Sequence, residues 1–403
     1  MQTPNGHLTY CTNIHAGESW PEHFEKIKQS VPAIKQKISP LEPFGIGLRL
    51  SNTASLELRK QENLEKFIQW LAHHHCYVFT MNGFPFGGFH NTVVKDQVHA
   101  PDWLSAERVS YTIRLAQILA ALLPEGVDGG ISTSPLTYKF WHQKEQLDDV
   151  FEKATLNLLQ VVDQLISIHK STGKLIHIDI EPEPDGLLGD GKEFLQWYMQ
   201  YLIPIGTTYV QDRYKVNEDE AAALIREHIQ LCYDVCHFAV SYEDHAHMIE
   251  QLRSSGIKTG KIQISAAIKA AMPSALASKE EVAAAFSQFN EPVYLHQVVA
   301  NTNDGQLIRY KDLDDALADS SNDDVNEWRA HYHVPIFVDN YGLLRSTRDD
   351  IVKVLNIQAR NPFTFHLEIE TYTWEVLPLE LRLPIVDSII REFEWVIKLN
   401  SHA

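Results

Sequence analysis

The stretch Lys174–Gly186, KLIHIDIEPEPDG, places the tightest constraint on what this chain can become. From Leu175 to Glu181 apolar and polar side chains alternate, so Ile176, Ile178 and Ile180 face one way and His177, Asp179 and Glu181 the other. The strand is short and β-branched. It is entered from a long helical run (VFEKATLNLLQVVDQLISIHK) and stopped by Glu181-Pro182, since proline brings no N–H to a ladder. A strand of a closed barrel fits this pattern, with isoleucines toward a ring of helices, polar groups inward, and Glu181 at the mouth.

The same unit recurs. LTYCTNI (8–14), FGIGLRLS (44–51), CYVFTMNG (76–83), GGISTSP (129–135), the stretch above, IQLCYDVCH (229–237), GKIQISAA (260–267) and TFHLEIETYTW (364–374) read as strands with helical runs between them. SLELRKQENLEKFIQWLAHHH reads as one such helix. This alternation predicts an α/β chain folded as a (β/α)8 TIM barrel. The 403 residues exceed the roughly 250 of a minimal barrel, which leaves room for insertions. The alternation breaks between Ala267 and Thr364. There VYLHQVVA and NTNDGQLIRY predict a hairpin around Asp304-Gly305, HYHVPIFVDN a further extended piece, and DLDDALADSSNDD a solvated acidic surface. We read 268–363 as an insertion-rich region between strands seven and eight, inside a single domain spanning 1–403. A separate lid domain is the alternative, but no Gly/Ser linker marks one.

A formal charge of −18 opposes a grip on nucleic-acid phosphates. Four cysteines are too few for a disulfide framework, and the zinc-like spacing of Cys232 and Cys236 lacks a second pair. The N-terminus has no basic start followed by an apolar run, and no stretch approaches the roughly 20 apolar residues of a membrane helix. The expectation is a cytoplasmic protein that neither enters a membrane nor binds nucleic acid.

Active sites of such barrels lie at the C-terminal ends of the strands. Strand five ends in Glu181 and Glu183; strand six carries Asp234, with His237 three residues on. Strand seven offers Gln263 and Ser265 at one parity, and strand eight turns His366, Glu368 and Glu370 inward. Carboxylates converging on one mouth repel unless a cation or a proton compensates them. Oxygen ligands with a little nitrogen suit Mn²⁺, Mg²⁺ or Co²⁺, and Zn²⁺ is compatible. Taken singly, a glutamate at a strand end is an ordinary salt-bridge partner, and His177 or His366 an ordinary hydrogen-bonded core histidine. The joint pattern at three strand ends is what points to a metal. Arg49 has inward parity for an anionic substrate or for an interior ion pair. Lys95, on the long loop after strand three with Asn82 and His90, suits a phosphate or carboxylate, or plain solvent. His15 ends strand one; Phe84, Phe86, Phe89, Trp103 and Trp374 suit an apolar substrate wall or loop packing.

Ile180-Glu181-Pro182, Asp234-x-x-His237 and Glu370-Thr371 resemble the xylose-isomerase-like barrel superfamily, which includes sugar isomerases, epimerases and the endonuclease IV type. The resemblance implies a divalent metal held by Glu181, Asp234 and Glu370, with Gln263 standing where a histidine is usual. It implies that Glu181 and Glu370 act as acid and base and that His237 touches substrate, with Glu183 beside it. His331 and His333, in RAHYHVP, lie where endonuclease-IV-type members have further ligands; ligation and substrate contact both remain open. Longer motifs spread over nearly the whole chain resemble the EboE family of metabolite traffic proteins. They are LTYCTNIHAGESW, NGFPFGGFHNTVVKDQVHAPDW, HIDIEPEPDG, YDVCHFAVSYED, KIQISAA, HYHVPIF and HLEIETYTWEVLP. That likeness implies a part in making, modifying or moving a small metabolite, alongside other proteins of the same cluster. Three functions follow in order: a metal-dependent isomerase or epimerase, a non-catalytic metabolite carrier, and an endonuclease-IV-like phosphodiesterase.

Overall fold

Eight parallel strands close around one axis in the computed structural model, which describes residues 1–88, 94–374, 377, 382 and 384–400. They are β1 (Gly6–Tyr10), β2 (Phe44–Arg49), β3 (Cys76–Asn82), β4 (Gly129–Thr133), β5 (Ile176–Ile180), β6 (Ile229–Asp234), β7 (Thr259–Ile264) and β8 (His366–Ile369). From β2 to β8 each pairs with its sequence neighbour, and β8 returns to β1 in parallel register, His366 opposite His7 and Ile369 opposite Tyr10. The seam between β1 and β2 is held differently. Cys11 bridges to Gly47, and the Thr9 hydroxyl donates to Gly45 O at 2.9 Å while accepting from Gly47 N at 2.9 Å. A short Gln2–Thr3 strand pairs antiparallel with β1 outside the barrel.

The alternation read from β5 is the architecture. Ile176, Ile178 and Ile180 belong to the apolar core under the helices, while His177 and Asp179 point down the barrel axis. The interior is a stack of ionisable groups. Lys261 Nζ meets Glu368 Oε2 at 2.8 Å, with both side chains fully buried. Two glycines make room for this filling. A Cβ on Gly260 would stand 1.8 Å from Asp179 Oδ1, and one on Gly47 would stand 2.1 Å from Glu368 Oε1.

The single helix predicted before β3 is two, Asn52–Leu58 and Gln61–His73. Ser51 caps the first; Lys60 leaves helical geometry (φ −62°, ψ 128°), and Asn63 Nδ2 donates to Glu57 O at 2.9 Å to hold the break. Between β7 and β8 lies a six-stranded antiparallel sheet. Its order is Leu307–Tyr310, Val298–Thr302, Val325–Ala330, Ile268–Ala271, Leu344–Ser346 and Asn340–Tyr341. The hairpin at Asp304-Gly305 is present, with Gly305 at φ 81°. HYHVPIFVDN is not a strand over 331–339. Pro335 has no N–H to give a ladder, and Val334 N donates to Ala266 O at 3.0 Å while Thr373 Oγ1 donates to His333 O at 2.7 Å. That strap carries two histidines over the barrel mouth. All four cysteines are free and buried, and among the described residues no helix is long and apolar enough to cross a membrane. Phe89 and His90 lie outside the described residues.

Candidate metal centre at the barrel mouth

Each carboxylate reaches the mouth because its strand stops there. Glu181 follows β5 with its N–H bonded to Thr133 O at 3.0 Å, and Pro182 ends the ladder. Asp234 closes β6 and caps the next helix, Val235–Val240. Its Oδ1 accepts from His237 N at 3.1 Å and from Ser265 Oγ at 2.7 Å. Glu370 follows β8; its Oε1 accepts from Asn13 Nδ2 at 2.9 Å and Asn82 Nδ2 at 2.8 Å. One oxygen from each of Glu181, Asp234 and Glu370 lies within 4.8 Å of the other two, and all three residues are buried. Glu181 Oε2 and Asp234 Oδ2 are buried without a hydrogen-bond partner. Such orphaned acceptors fit a cation and fit little else.

The electrostatics say the same. Burial first, then the neighbouring carboxylates of Asp234 and Glu183, push the Glu181 carboxyl well above its ordinary value. Burial first, then Glu181 and Asp234, do so for Glu370. Glu183 is pushed up to about 8 by burial and by Asp185. Three negative charges cannot share this pocket unaided, so a proton or a metal must accompany them.

A nitrogen set adjoins the oxygen set. His237 Nδ1 donates to Pro182 O at 2.8 Å, and His333 Nδ1 to Glu370 O at 3.1 Å. His331 Nδ1 donates to Gln297 Oε1 at 2.7 Å, and that amide is oriented by its own bond from Nε2 to Pro184 O at 2.8 Å. All three Nε2 atoms therefore present lone pairs inward, the arrangement by which outer partners prepare imidazoles for a metal. His237 Nε2 and His331 Nε2 stand 3.1 Å apart, and His333 Nε2 is buried without a partner. Burial, with the surrounding histidines, holds His331 well below its ordinary range and His333 at about 4, so both are neutral, as ligands must be. Asp234, His237 and His333 form a second ligand group that shares Asp234 with the first; Cys236, His331 and His333 form a third.

Gln263 lies level with Asp234 across β6 and β7, but its Oε1 accepts from Cys232 Sγ at 2.9 Å and its buried Nε2 has no partner. A half-turn of that amide exchanges the two ends and turns the oxygen the other way. Arg49 and Lys95 do not line the mouth cavity. Arg49 is buried against Glu18 (3.3 Å) and Gly87 O, and Lys95 pairs with Asp312 at 2.5 Å. Both cations are already compensated. His15 bonds to the Tyr10 hydroxyl, Trp103 to Thr133, and Trp374 stacks on Phe337. Phe84 lines the mouth cavity, about 50 Å³, with Asn82, Glu181, Glu183, His237 and Glu370. A neighbouring space of about 250 Å³ shares Pro85 and Val98 with it, so the loop after β3 roofs the mouth.

Three residues of the site were not found from sequence. Asn13 lies within LTYCTNI and Gln297 within VYLHQVVA, but neither residue was singled out. His99 gave a signal only as a histidine inside the long loop; it is fully buried, with Nε2 3.7 Å from Glu183 Oε2.

No family model matches the chain, and no curated protein does. Solved structures do. A D-tagatose 3-epimerase-like protein is 11% identical over 98% of this chain and 97% of its own, with a TM-score of 0.49. A xylose isomerase domain protein from Planctomyces limnophilus is 11% identical over 100% and 99%, TM-score 0.47. The IolI protein with a bound zinc atom is 12% identical over 98% of each chain, TM-score 0.47. The (β/α)8 barrel itself rests on this chain's own strand order.

Proposed function

We propose that this protein is a metal-dependent enzyme of the isomerase or epimerase type, acting on a small polar metabolite. The observation that carries the reading is the convergence of Glu181, Asp234 and Glu370 at one buried point, with orphaned oxygens and two carboxyls driven toward their protonated forms. The cation would be held by those three, with Gln263 as a fourth donor if its amide turns, and it supplies polarisation of a carbonyl and an adjacent hydroxyl. Glu181 and Glu370 exchange a proton with the substrate carbon from opposite sides. Asn13 and Asn82 hold Glu370 Oε1, leaving Oε2 to move that proton. Glu183, His237 and His331 bind the substrate hydroxyls, the two histidines directly or through a second cation that the nitrogen set would hold. The resemblance to the EboE family makes the setting the cytoplasmic biosynthesis or trafficking of a secondary-metabolite precursor, with partners from the same cluster.

The test is elemental analysis of the purified chain, followed by ketoses offered in D2O. A stoichiometric Mn²⁺, Mg²⁺, Co²⁺ or Zn²⁺, with deuterium entering beside the carbonyl and lost in Glu181→Gln and Glu370→Gln, supports the enzyme. A chain that binds sugars yet holds no metal under any loading condition is the carrier instead. A second, hydrolytic reading rests on Asp234 being common to the oxygen and nitrogen groups, which suits two bridged cations. Cleavage of abasic DNA would establish that reading, and the net charge of −18 argues against it.

A further inference from the structure

The opposite end of the barrel holds another set of ligand-type groups, one whose residues the function above does not use. His177 and His366 are the first inward residues of β5 and β8, and Asp128 immediately precedes β4. One ligand atom from each lies within 4.8 Å of the other two. His177 Nδ1 donates to Asp179 Oδ1 at 2.6 Å, inside the barrel, which turns Nε2 toward Asp128 Oδ2 at 3.5 Å. His366 Nε2 faces the other oxygen of the same carboxylate at 3.3 Å, while its Nδ1 is buried without a partner.

These separations are long for charge-assisted hydrogen bonds, which close to about 2.7–2.9 Å. They run to the two different oxygens of the one carboxylate, so Asp128 faces each imidazole with its own oxygen, and one ligand atom from each residue can reach a shared ion. Gly130 makes room for these side chains: a Cβ there would meet Asp179 Oδ2 at 2.5 Å, the His177 ring at 2.8 Å and His366 Nδ1 at 3.1 Å. Asp179 behind His177 supplies the outer carboxylate that orients a zinc-bound imidazole. Asp128, its side chain 38% exposed, stands on the wall of a cavity of about 450 Å³ that Lys258, Gly260 and Thr364 also border. Asp128 thereby gives the cluster a solvent-facing member.

We propose that Asp128, His177 and His366 form a separate cation site at the N-terminal end of the barrel, selective for Zn²⁺ or Co²⁺ over Mg²⁺. Two imidazoles and one carboxylate, with Asp179 as outer partner, are a borderline-soft donor set. A proton on His177 is the competitor for the same place.

The site is tested on the full chain by equilibrium dialysis against Co²⁺, with elemental analysis and visible absorption, in wild type, Asp128→Asn, Asp179→Asn and Asp234→Asn. Asp128→Asn should cost one equivalent of Co²⁺, or about 100-fold or more in its affinity, and leave the mouth equivalents unchanged. Asp179→Asn should weaken the same equivalent by about 10–100-fold. Asp234→Asn should remove mouth equivalents and spare this one, so failure here and failure at the mouth are separable. Circular dichroism confirms folding; Asp128 is the partly exposed member, so its variant keeps the fold if His366→Gln does not. Equal Co²⁺ content and spectra in wild type and Asp128→Asn would overturn the proposal, as would a wild type whose every bound equivalent disappears in Asp234→Asn.

Discussion

His237 and His331 meet Nε2 to Nε2 at 3.1 Å, each with its Nδ1 proton already given to an oxygen. Two lone pairs at that distance repel, so the contact holds only with a proton or a cation between or beside them. Burial and the surrounding histidines drive His331 toward its neutral form, which favours the cation.

The first prediction follows. His331→Ala should weaken the nitrogen-set cation by at least tenfold while the Glu181–Asp234–Glu370 cation stays. Gln297→Ala, which frees the His331 ring without touching a ligand, should weaken it by about 10–100-fold. Competition with a coloured chelator measures both. Equal affinity in Gln297→Ala would show that the tautomer is set by something other than that amide.

The buried pair of Lys261 and Glu368 carries the second. Removing one partner, as in Glu368→Leu, leaves a buried ammonium held by Met81 O and should cost about 3–5 kcal/mol of stability in urea unfolding. Lys261→Met combined with Glu368→Leu should recover most of that loss, since a buried ion pair is worth little more than apolar filling of the same volume. A double variant as unstable as the single one would mean that the pair itself holds the barrel closed.

Asn82 supplies the third. Its amide donates to Glu370 Oε1 at 2.8 Å, and its own Oδ1 accepts from Phe84 N at 3.0 Å, so one residue ties the end of β3 to the acid of β8 and to the roof loop. Asn82→Ala should lower stability by about 1–3 kcal/mol and cut proton exchange more than sugar binding. Sugar affinity from calorimetry, set beside deuterium uptake, separates the two effects.

The barrel was legible because polar residues line its inside. Alternation in β5, β7 and β8 is visible only because Asp179, Lys261 and Glu368 fill an interior that other barrels fill with aliphatics. Glu181, Asp234 and Glu370 could be found because each ends a strand, where position in sequence maps to position at the mouth. Arg49 and Lys95 show the limit of that mapping: parity brings Arg49 to a level and Lys95 sits on a loop, and their partners Glu18 and Asp312 come from loops with no periodicity to follow. His331 and His333 were visible as residues but not as a set. Their Nδ1 acceptors, Gln297 and the Glu370 carbonyl, lie 34 and 37 residues away along the chain. Strap 331–339 read as an extended piece because its residues are β-formers; its hydrogen bonds go to Ala266 and Thr373 rather than to a ladder.

Glu392 gives a prediction in pH. It sits fully buried on the last helix, Ile385–Asn400, and its Oε1 accepts from Thr371 Oγ1 at 2.7 Å and Ile336 N at 3.3 Å. Burial pushes its carboxyl from 4.5 up to about 8, against the smaller pull of those two donors. Between those values the folded chain holds a proton that the unfolded chain has released, so stability falls as pH rises. Its contribution is complete below about pH 4.5 and is lost by the time pH has passed about 8, a span worth roughly 4 kcal/mol. Glu392→Gln keeps the acceptor oxygen and cannot ionise. Urea unfolding from pH 5 to 9 should therefore show the variant gaining on the wild type as pH rises, and parallel curves would place an ionised Glu392 in the folded core throughout.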